Sequence, residues 1–394
     1  MKEKQSYYFD YNATTPIDGD VYKEMIPYLT DYYGNPSSSY YIGRKTKDKI
    51  ERIRYEISQY FNMKPEGVYF TSSGSEADNM ILKGISVANK DKGKHIITTK
   101  IEHSAILNTC EFLEKQGYDI TYLDVTPEGV IDIKELENAI REDTILISIM
   151  YVNNEIGTIE PIKEIAEIAH KHNIIFHTDA VQAIGEIRIN VEEMGIDCMS
   201  ISGHKIYAPK GIGMAYIKPG IKFEPLIHGG MQEFHSRGGT EYIANIVALG
   251  KAIKILDEII DTNEEKMKEL QEYTLKKINS ILSGYDYILN GGFENRASNN
   301  ISISFKDIDG ESLLLALDLE GIYLSSGSAC HSDSTEPSHV LKAIGVPEEY
   351  ANGTLRISFG KLLLVRSLEK WSRMMELHGI RLLKERRMQP LFSR

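Results

Sequence analysis

A lysine and an aspartate, each at the end of a short apolar run, are the residues of this 394-residue chain with the clearest chemical use. Ile174-Ile175-Phe176 leads into His177-Thr178-Asp179-Ala180-Val181-Gln182, and Cys198-Met199-Ser200-Ile201 leads into Ser202-Gly203-His204-Lys205. Both runs have the length of buried strands, and each stops at a polar cluster. In an open α/β sheet, ligands collect at the carboxyl ends of the strands. The two clusters therefore predict a site holding one carboxylate and one amine. Pyridoxal phosphate needs that pair: a lysine for its Schiff base and an acid to keep its ring nitrogen protonated. A surface lysine and a helix-capping aspartate read equally from these two segments alone.

Other segments offer groups to such a site. Thr71-Ser72-Ser73-Gly74-Ser75-Glu76 follows an apolar run and opens a helical pattern. A phosphate needs backbone N–H groups and hydroxyls at a helix N-terminus. Gly74 lets the backbone approach and Ser75 supplies a hydroxyl, while a plain serine cap with its box acid fits the same residues. Ser202 and His204, beside the lysine, can complete the phosphate cup. Glu102-His103-Ser104 puts a histidine at a strand end, where it can stack on a flat cofactor and relay protons or simply hydrogen-bond. Asn154, in Val152-Asn153-Asn154-Glu155, can donate to a cofactor oxygen or a substrate carboxylate, or serve a turn. Arg356 lies in the apolar run Thr354-Leu355-Arg356-Ile357 and needs an anion, either a substrate carboxylate or an internal partner.

The segment Leu324 to Pro337 is dominated by small and polar residues without apolar periodicity and reads as an exposed loop. Free cysteines are usually buried, so Cys330 in this loop is a candidate nucleophile, active as its thiolate. Cys110 and Cys198 stand in apolar surroundings and read as packing residues.

The elements that must position these groups alternate. Candidate strands are 67–71, 95–99, 119–125, 144–152, 174–178, 198–202 and 213–217, with helical patterns at 76–88, 104–116, 133–141 and 162–171. This spacing predicts a largely parallel sheet covered on both faces. Between Ile201 and Ile217 there is no room for a crossover helix, so one edge pair is expected to be antiparallel. From Thr240 to about Ser283 the pattern is long and helical, with an acidic interruption near Asp261–Glu265, and further strands and helices follow. The expected division is a large domain at 15–260 and a smaller α+β domain of 1–14 with 261–394, which carries the Cys330 loop.

Composition narrows the function. Hydrophobic residues at 42% and charged residues at 26% suit a soluble enzyme, and a formal net charge of -12 argues against nucleic-acid or anionic-membrane binding. No apolar run approaches the ~20 residues that span a bilayer. With 3 cysteines and no apolar secretion signal at Met1–Gln5, a cytoplasmic location is expected. No metal site is assigned.

Taken together, the clusters resemble those of one family, the cysteine desulfurases of the NifS/IscS type, in the class V group of fold-type I pyridoxal-phosphate enzymes. The matching motifs run in order from Tyr8-Phe9-Asp10-Tyr11-Asn12-Ala13-Thr14-Thr15-Pro16 and Gly34-Asn35-Pro36 through the segments above, Pro209-Lys210-Gly211 and Arg237-Gly238-Gly239-Thr240-Glu241 to Thr354–Gly360. The resemblance implies a large domain with a mostly parallel seven-stranded sheet and a smaller C-terminal domain. It implies that Lys205 holds the cofactor and shuttles the substrate's Cα proton, that Asp179 pairs with the ring nitrogen, and that Gln182 reaches the ring hydroxyl. His103 would stack on the ring and act as acid/base, and Gly74, Ser75, Ser202 and His204 would hold the phosphate. Thr240 would reach the phosphate of the other subunit in a homodimer. Asn154 and Arg356 would fix L-cysteine, and Cys330 would take its sulfur as a persulfide. Glu336–Leu341 resembles the subgroup that passes sulfur to an acceptor or iron–sulfur scaffold protein.

Some positions depart from the family pattern. Met231 stands where a glycine is usual and would add bulk near the site. Tyr242 replaces an asparagine, and the last ~34 residues are basic where relatives are often acidic. There, Leu364, Leu368, Trp371, Met375 and Leu382 fall on one helical face. A selenocysteine lyase or other β-eliminating enzyme, and a scaffold that keeps the fold without the chemistry, are the alternative readings. The cysteine motif argues against the first, and the joint presence of Lys205, Asp179, His103 and Cys330 against the second.

Overall fold

Runs rich in Ile, Val and Thr become strands, and segments apolar at every third or fourth residue become helices. The computed structural model describes residues 6–282, 285–326 and 337–361. The Cys330 loop and the basic tail lie outside the described residues. In chain order the strands are β1 (Tyr7–Tyr8), β2 (Val68–Thr71), β3 (His95–Thr99), β4 (Asp119–Leu123), β5 (Thr144–Ser148), β6 (Ile175–Asp179), β7 (Cys198–Ser202), β8 (Gly213–Ile217), β9 (Tyr287–Leu289), β10 (Asn300–Phe305), β11 (Ile322–Tyr323) and β12 (Thr354–Ser358).

The central sheet has seven strands in the order β2-β8-β7-β6-β5-β3-β4. Strands β3 to β7 pair in parallel. The expected antiparallel pair is present, but it is not at an edge: β8 runs antiparallel to both β7 and β2, and β2 forms the edge. The short link after Ser202 can only reverse the chain, and β2 then takes the open side of β8. As a result β2, β5, β6 and β7 all end at the same edge of the sheet. Gly213 opposes both Thr71 and Ser202 there. A Cβ at Gly213 would lie 2.5 Å from the Ser73 carbonyl carbon and 2.9 Å from the Ile201 oxygen, so only glycine lets the turn after β2 close against β7.

Alternation along the strands makes two apolar layers. Leu146, Ile175 and Cys198 pack with Ile81, Ile85, Ile106 and Leu113 of the helices Gly74–Asn89 and Ser104–Lys115. Ile147, Phe176, Met199 and Ile201 point the other way and pack with Ile165, Ala169 and Val247. Each large side chain buried in this way contributes roughly 1.5–3 kcal/mol relative to exposure. Among the described residues no helix is long and apolar enough to cross a membrane.

The helix Ile243–Ile281 runs unbroken through the acidic residues 261–265, because they face outward while the apolar stripe continues beneath them. Its apolar residues up to Ile260 join the core under the large sheet. Those from Met267 to Leu282 join a second core with β1, β10, β11 and β12. In that part β9, β10 and β12 form an antiparallel sheet and β1 pairs in parallel with β11.

Candidate active site

The shared sheet edge opens into a cavity of about 300 Å³, at the lower end of the range for small-molecule sites. Of the site residues expected from the sequence and described in the structure, Gly74, Ser75, His103, Asn154, Asp179, Gln182, Ser202, His204, Lys205 and Arg356 line it. Thr240 does not: it is exposed, away from the cavity of its own chain. Met231 does not line the cavity either and is 75% exposed, so its bulk does not narrow this chain's own site. Cys330 lies outside the described residues.

The strand ends fix the central pair. Asp179 closes β6 and Lys205 sits in the short 3-10 turn after β7. Lys205 Nζ donates to the Asn12 carbonyl and, at 3.0 Å, to that of Ala13. Gln182 Nε2 donates to the same Asn12 carbonyl at 2.9 Å. Asp179 Oδ1 accepts from the Val181 N–H at 2.9 Å. Burial pushes the Asp179 carboxyl up from its ordinary range, while His103, the Val181 N–H and Lys205 pull it back toward ionisation. His204 accepts or donates at the Thr14 hydroxyl, 3.1 Å away. Burial, then Lys205 and Lys210, push its imidazole down to about 4, so the ring is neutral near pH 7.

Two sequence segments cap helices and also reach the cavity. Ser73 caps the helix Gly74–Asn89, accepting from Glu76 N–H at 3.1 Å, and Glu76 reaches back to the Ser72 N–H at 2.8 Å. The same helix start brings Gly74 and Ser75 to the cavity. A Cβ on Gly74 would sit 2.7 Å from Val181 Cγ2, so a side chain there would have to push Val181 aside. His103 likewise caps Ser104–Lys115, its Nδ1 accepting from Ala105 N–H at 3.1 Å, so in this arrangement the ring's proton sits on Nε2. Arg356 is 2% exposed on β12 and pairs with Asp10 at 2.8 Å, while its Nη1 donates to the Asn154 carbonyl at 2.9 Å. The arginine is therefore both internally paired and open to the cavity.

Several lining residues escaped the sequence reading: Asn12 and Ala13, Asp78, Glu155 and His339. Asp78 had a readable signal, an acid on the inward stripe Gly74, Ala77, Asp78, Ile81 of its helix. Asn12 stood inside a quoted motif but carries its function on a backbone carbonyl, which no side-chain reading finds. His339 Nε2 donates to the Glu102 carbonyl at 2.9 Å and Ser338 Oγ to Glu155 at 2.6 Å, tying the helix His339–Ala343 to the cavity wall.

Pyridoxal phosphate fits this donor set. A glycine at a long helix's N-terminus, a buried carboxylate on a strand end, a lysine and a histidine all line the one cavity. Comparison with known proteins agrees. The aminotransferase class-V family model matches residues 7–363. A cysteine desulfurase IscS of Dictyoglomus turgidum is 51% identical over 357 residues, covering 91% of this chain and 90% of that protein. One from Methanosarcina thermophila is 49% identical, covering 91% and 88%. Among solved structures, a NifS-like protein matches with a TM-score of 0.89 at 35% identity, covering 95% of this chain and 99% of that one. SspA in complex with cysteine matches with a TM-score of 0.80 at 38% identity, covering 90% and 99%. The family match spans nearly all the described residues and the relatives are about half identical over nine-tenths of the chain, so this chain belongs to the aminotransferase class-V family.

Proposed function

We propose that this chain is a pyridoxal-phosphate-dependent cysteine desulfurase, which converts L-cysteine to L-alanine and moves the sulfur to Cys330 as a persulfide for iron–sulfur cluster assembly or another delivery route. The observation that carries this reading is the meeting of Lys205, Asp179, His103 and Arg356 at one cavity, in a chain about half identical to proteins named cysteine desulfurase. Gly74, Ser75, Ser202 and His204 would hold the phosphate of a bound cofactor, Asp179 would serve the ring nitrogen, and Gln182 would serve the ring hydroxyl. Bound there, the cofactor supplies an electron sink for the charge left on the substrate's Cα.

The chain's own residues do the rest. Arg356, its fork oriented by Asp10 and the Asn154 carbonyl, receives the substrate carboxylate with Asn154 beside it. Lys205 takes the Cα proton at Nζ and later returns it, with the Asn12 and Ala13 carbonyls steering the amine. His103 moves protons at Nε2. The Cys330 thiolate attacks the substrate sulfur, the C–S bond breaks, and the carbon skeleton leaves as alanine while the sulfur stays on Cys330. The enzyme works as a homodimer in the cytoplasm and hands sulfur to a protein acceptor. Residues 15–260 form the cofactor-binding domain, and residues 1–14 with 261–394 the smaller one that carries Cys330.

The test is to load the purified protein with pyridoxal phosphate, add L-cysteine and dithiothreitol, and measure alanine and sulfide. Equal amounts of the two are expected. Sulfide accompanied by pyruvate, or neither product, would overturn the reading.

A further inference from the structure

Beneath the cavity floor lies a layer that the proposed mechanism does not use. On the face of the sheet covered by the helix Gly74–Asn89, the apolar row Leu146, Ile175, Cys198 is followed, one step toward the cavity, by Ser148, His177 and Ser200. His177 Nδ1 lies 2.9 Å from Ser148 Oγ, and its Nε2 lies 3.0 Å from Ser200 Oγ. The carboxyl of Asp78 comes down from the helix onto this layer, is 1% exposed and lines the cavity. Asp78 Oδ1 is 3.8 Å from His177 Nε2 and has no hydrogen-bond partner.

Two carboxyls thus share the floor, and they have different company. Asp179 has Lys205, His103 and a backbone N–H. The titratable groups facing Asp78 are Asp179 and His177 from β6 and Glu102 from the end of β3, and none of these brings a positive charge. Cys110, on the helix packed alongside, faces Glu102 and is itself a buried thiol. Burial pushes the Asp78 and Glu102 carboxyls well above the ordinary range and the His177 imidazole down to about 3. Carboxylates crowded in a dry site cannot all ionise.

We propose that Asp78 is a positioning residue for the cofactor: a buried acid beside His177 that completes the floor as a neutral polar group and leaves Asp179 as the one carboxylate for the ring nitrogen. A cationic ring nitrogen then meets one anion in one place. Glutamine and asparagine mimic a neutral acid in shape and hydrogen bonding, so the role predicts an unusual tolerance. Asp78→Asn keeps the layer intact, whereas Asp78→Ala opens a gap beside His177.

This inference rests on the pyridoxal-phosphate reading, and the experiment separates the two. Cofactor dissociation constants and the pH midpoint of the bound cofactor's visible band are measured for wild type, Asp78→Asn, Asp78→Ala and Asp179→Asn. Wild type and Asp78→Asn are expected to bind alike with the same midpoint. Asp78→Ala should bind about tenfold more weakly, with a displaced midpoint, from the loss of one buried polar group at the floor. Asp179→Asn should lose about a hundredfold or more, as for truncation of a buried charge pair. If Asp78→Ala does not fold, Asp78→Val, which removes the polar group at nearly the same size, takes its place. If Asp78→Asn binds no better than Asp78→Ala, the group works as an anion and the inference falls. It also falls if Asp78→Ala equals wild type. Failure of wild type to bind any cofactor overturns the proposed function instead.

Discussion

Lys205 and Lys210 belong to one motif but occupy different surroundings. Lys205 faces the cavity with its Nζ on two backbone carbonyls, and Lys210 is exposed and does not line it. Borohydride reduction of the cofactor-loaded protein, followed by mass spectrometry, should therefore find the adduct on Lys205. Lys205→Ala should abolish it and Lys210→Ala should keep it, and an adduct on Lys210 would refute the assignment. Among the cysteines, Cys110 and Cys198 are buried, and burial pushes the Cys110 thiol up to about 12, which suits packing rather than attack. Cys330→Ser is expected to slow alanine formation about a hundredfold while leaving cofactor binding intact, the signature of a lost nucleophile. A wild-type rate in Cys330→Ser would exclude the persulfide route. Glu160 supplies a pH test. It is buried, one oxygen accepts from Ile131 N–H, and burial pushes its carboxyl up from 4.5 to about 8. The folded state then holds a proton that the unfolded state releases between those values, so this stabilisation is full below 4.5 and lost as pH rises through 8. His177, depressed from 6.5 to about 3, acts oppositely and only below 6.5. Glu160→Gln should consequently reduce the drop in urea midpoint between pH 7 and pH 9, and an undiminished drop would assign it elsewhere.

The segment Met231–Thr240 carries one of the family motifs and is held under strain. Glu233, Phe234 and His235 have φ of 44°, 56° and 66°, a left-handed run that costs each non-glycine residue roughly 1–2 kcal/mol. What offsets it is a buried fork: Glu233 accepts from Arg54 at 2.9 and 3.0 Å and from Phe70 N–H at 2.8 Å. The Arg54 guanidinium, 3% exposed, lies 4.8 Å from the rings of both Phe70 and Phe234. Arg237 then ties the segment to Glu76 at the start of the helix Gly74–Asn89. Arg54→Met would leave Glu233 buried and unpaired, at an expected cost of about 3–5 kcal/mol in urea unfolding. Adding Glu233→Gln should recover part of that loss, and strict additivity of the two would show that the fork does not hold the turn. None of this was legible in the sequence, because Arg54 and Glu233 meet only through the tertiary fold. The strands were legible for the opposite reason: Cys198–Ser202 and Gly213–Ile217 each carry a complete apolar run with its stop. The place of β8 inside the sheet was not, since β2 chooses its neighbour by an exposed edge and not by local pattern. Lys205, Asp179 and His103 stood at strand ends where chemistry is expected. Asp10, the partner of Arg356, gave no sign of the pairing across the length of the chain.

At the scale of the whole molecule, Thr240 and its neighbours pose a problem for a single chain. Thr240 is exposed, lies outside its own cavity, and stands in a stretch of chain that also exposes the apolar side chains of Met231, Phe234 and Tyr242. A second copy related by a twofold axis would cover this face and present each Thr240 to the other subunit's site, the reciprocal geometry that such symmetry imposes. Sharing of that kind can be tested by complementation. Lys205→Ala and Thr240→Val protomers, each weak as a homodimer, are co-expressed with different tags and the mixed dimer is purified. If Thr240 serves the neighbouring subunit, one site of the mixed dimer contains both lesions and the other contains neither. The mixed dimer should then recover about half of the wild-type alanine formation, a value set by symmetry. If Thr240 serves its own chain, each site carries one lesion and no recovery follows. Full activity in a species that light scattering identifies as a monomer would refute the shared site directly.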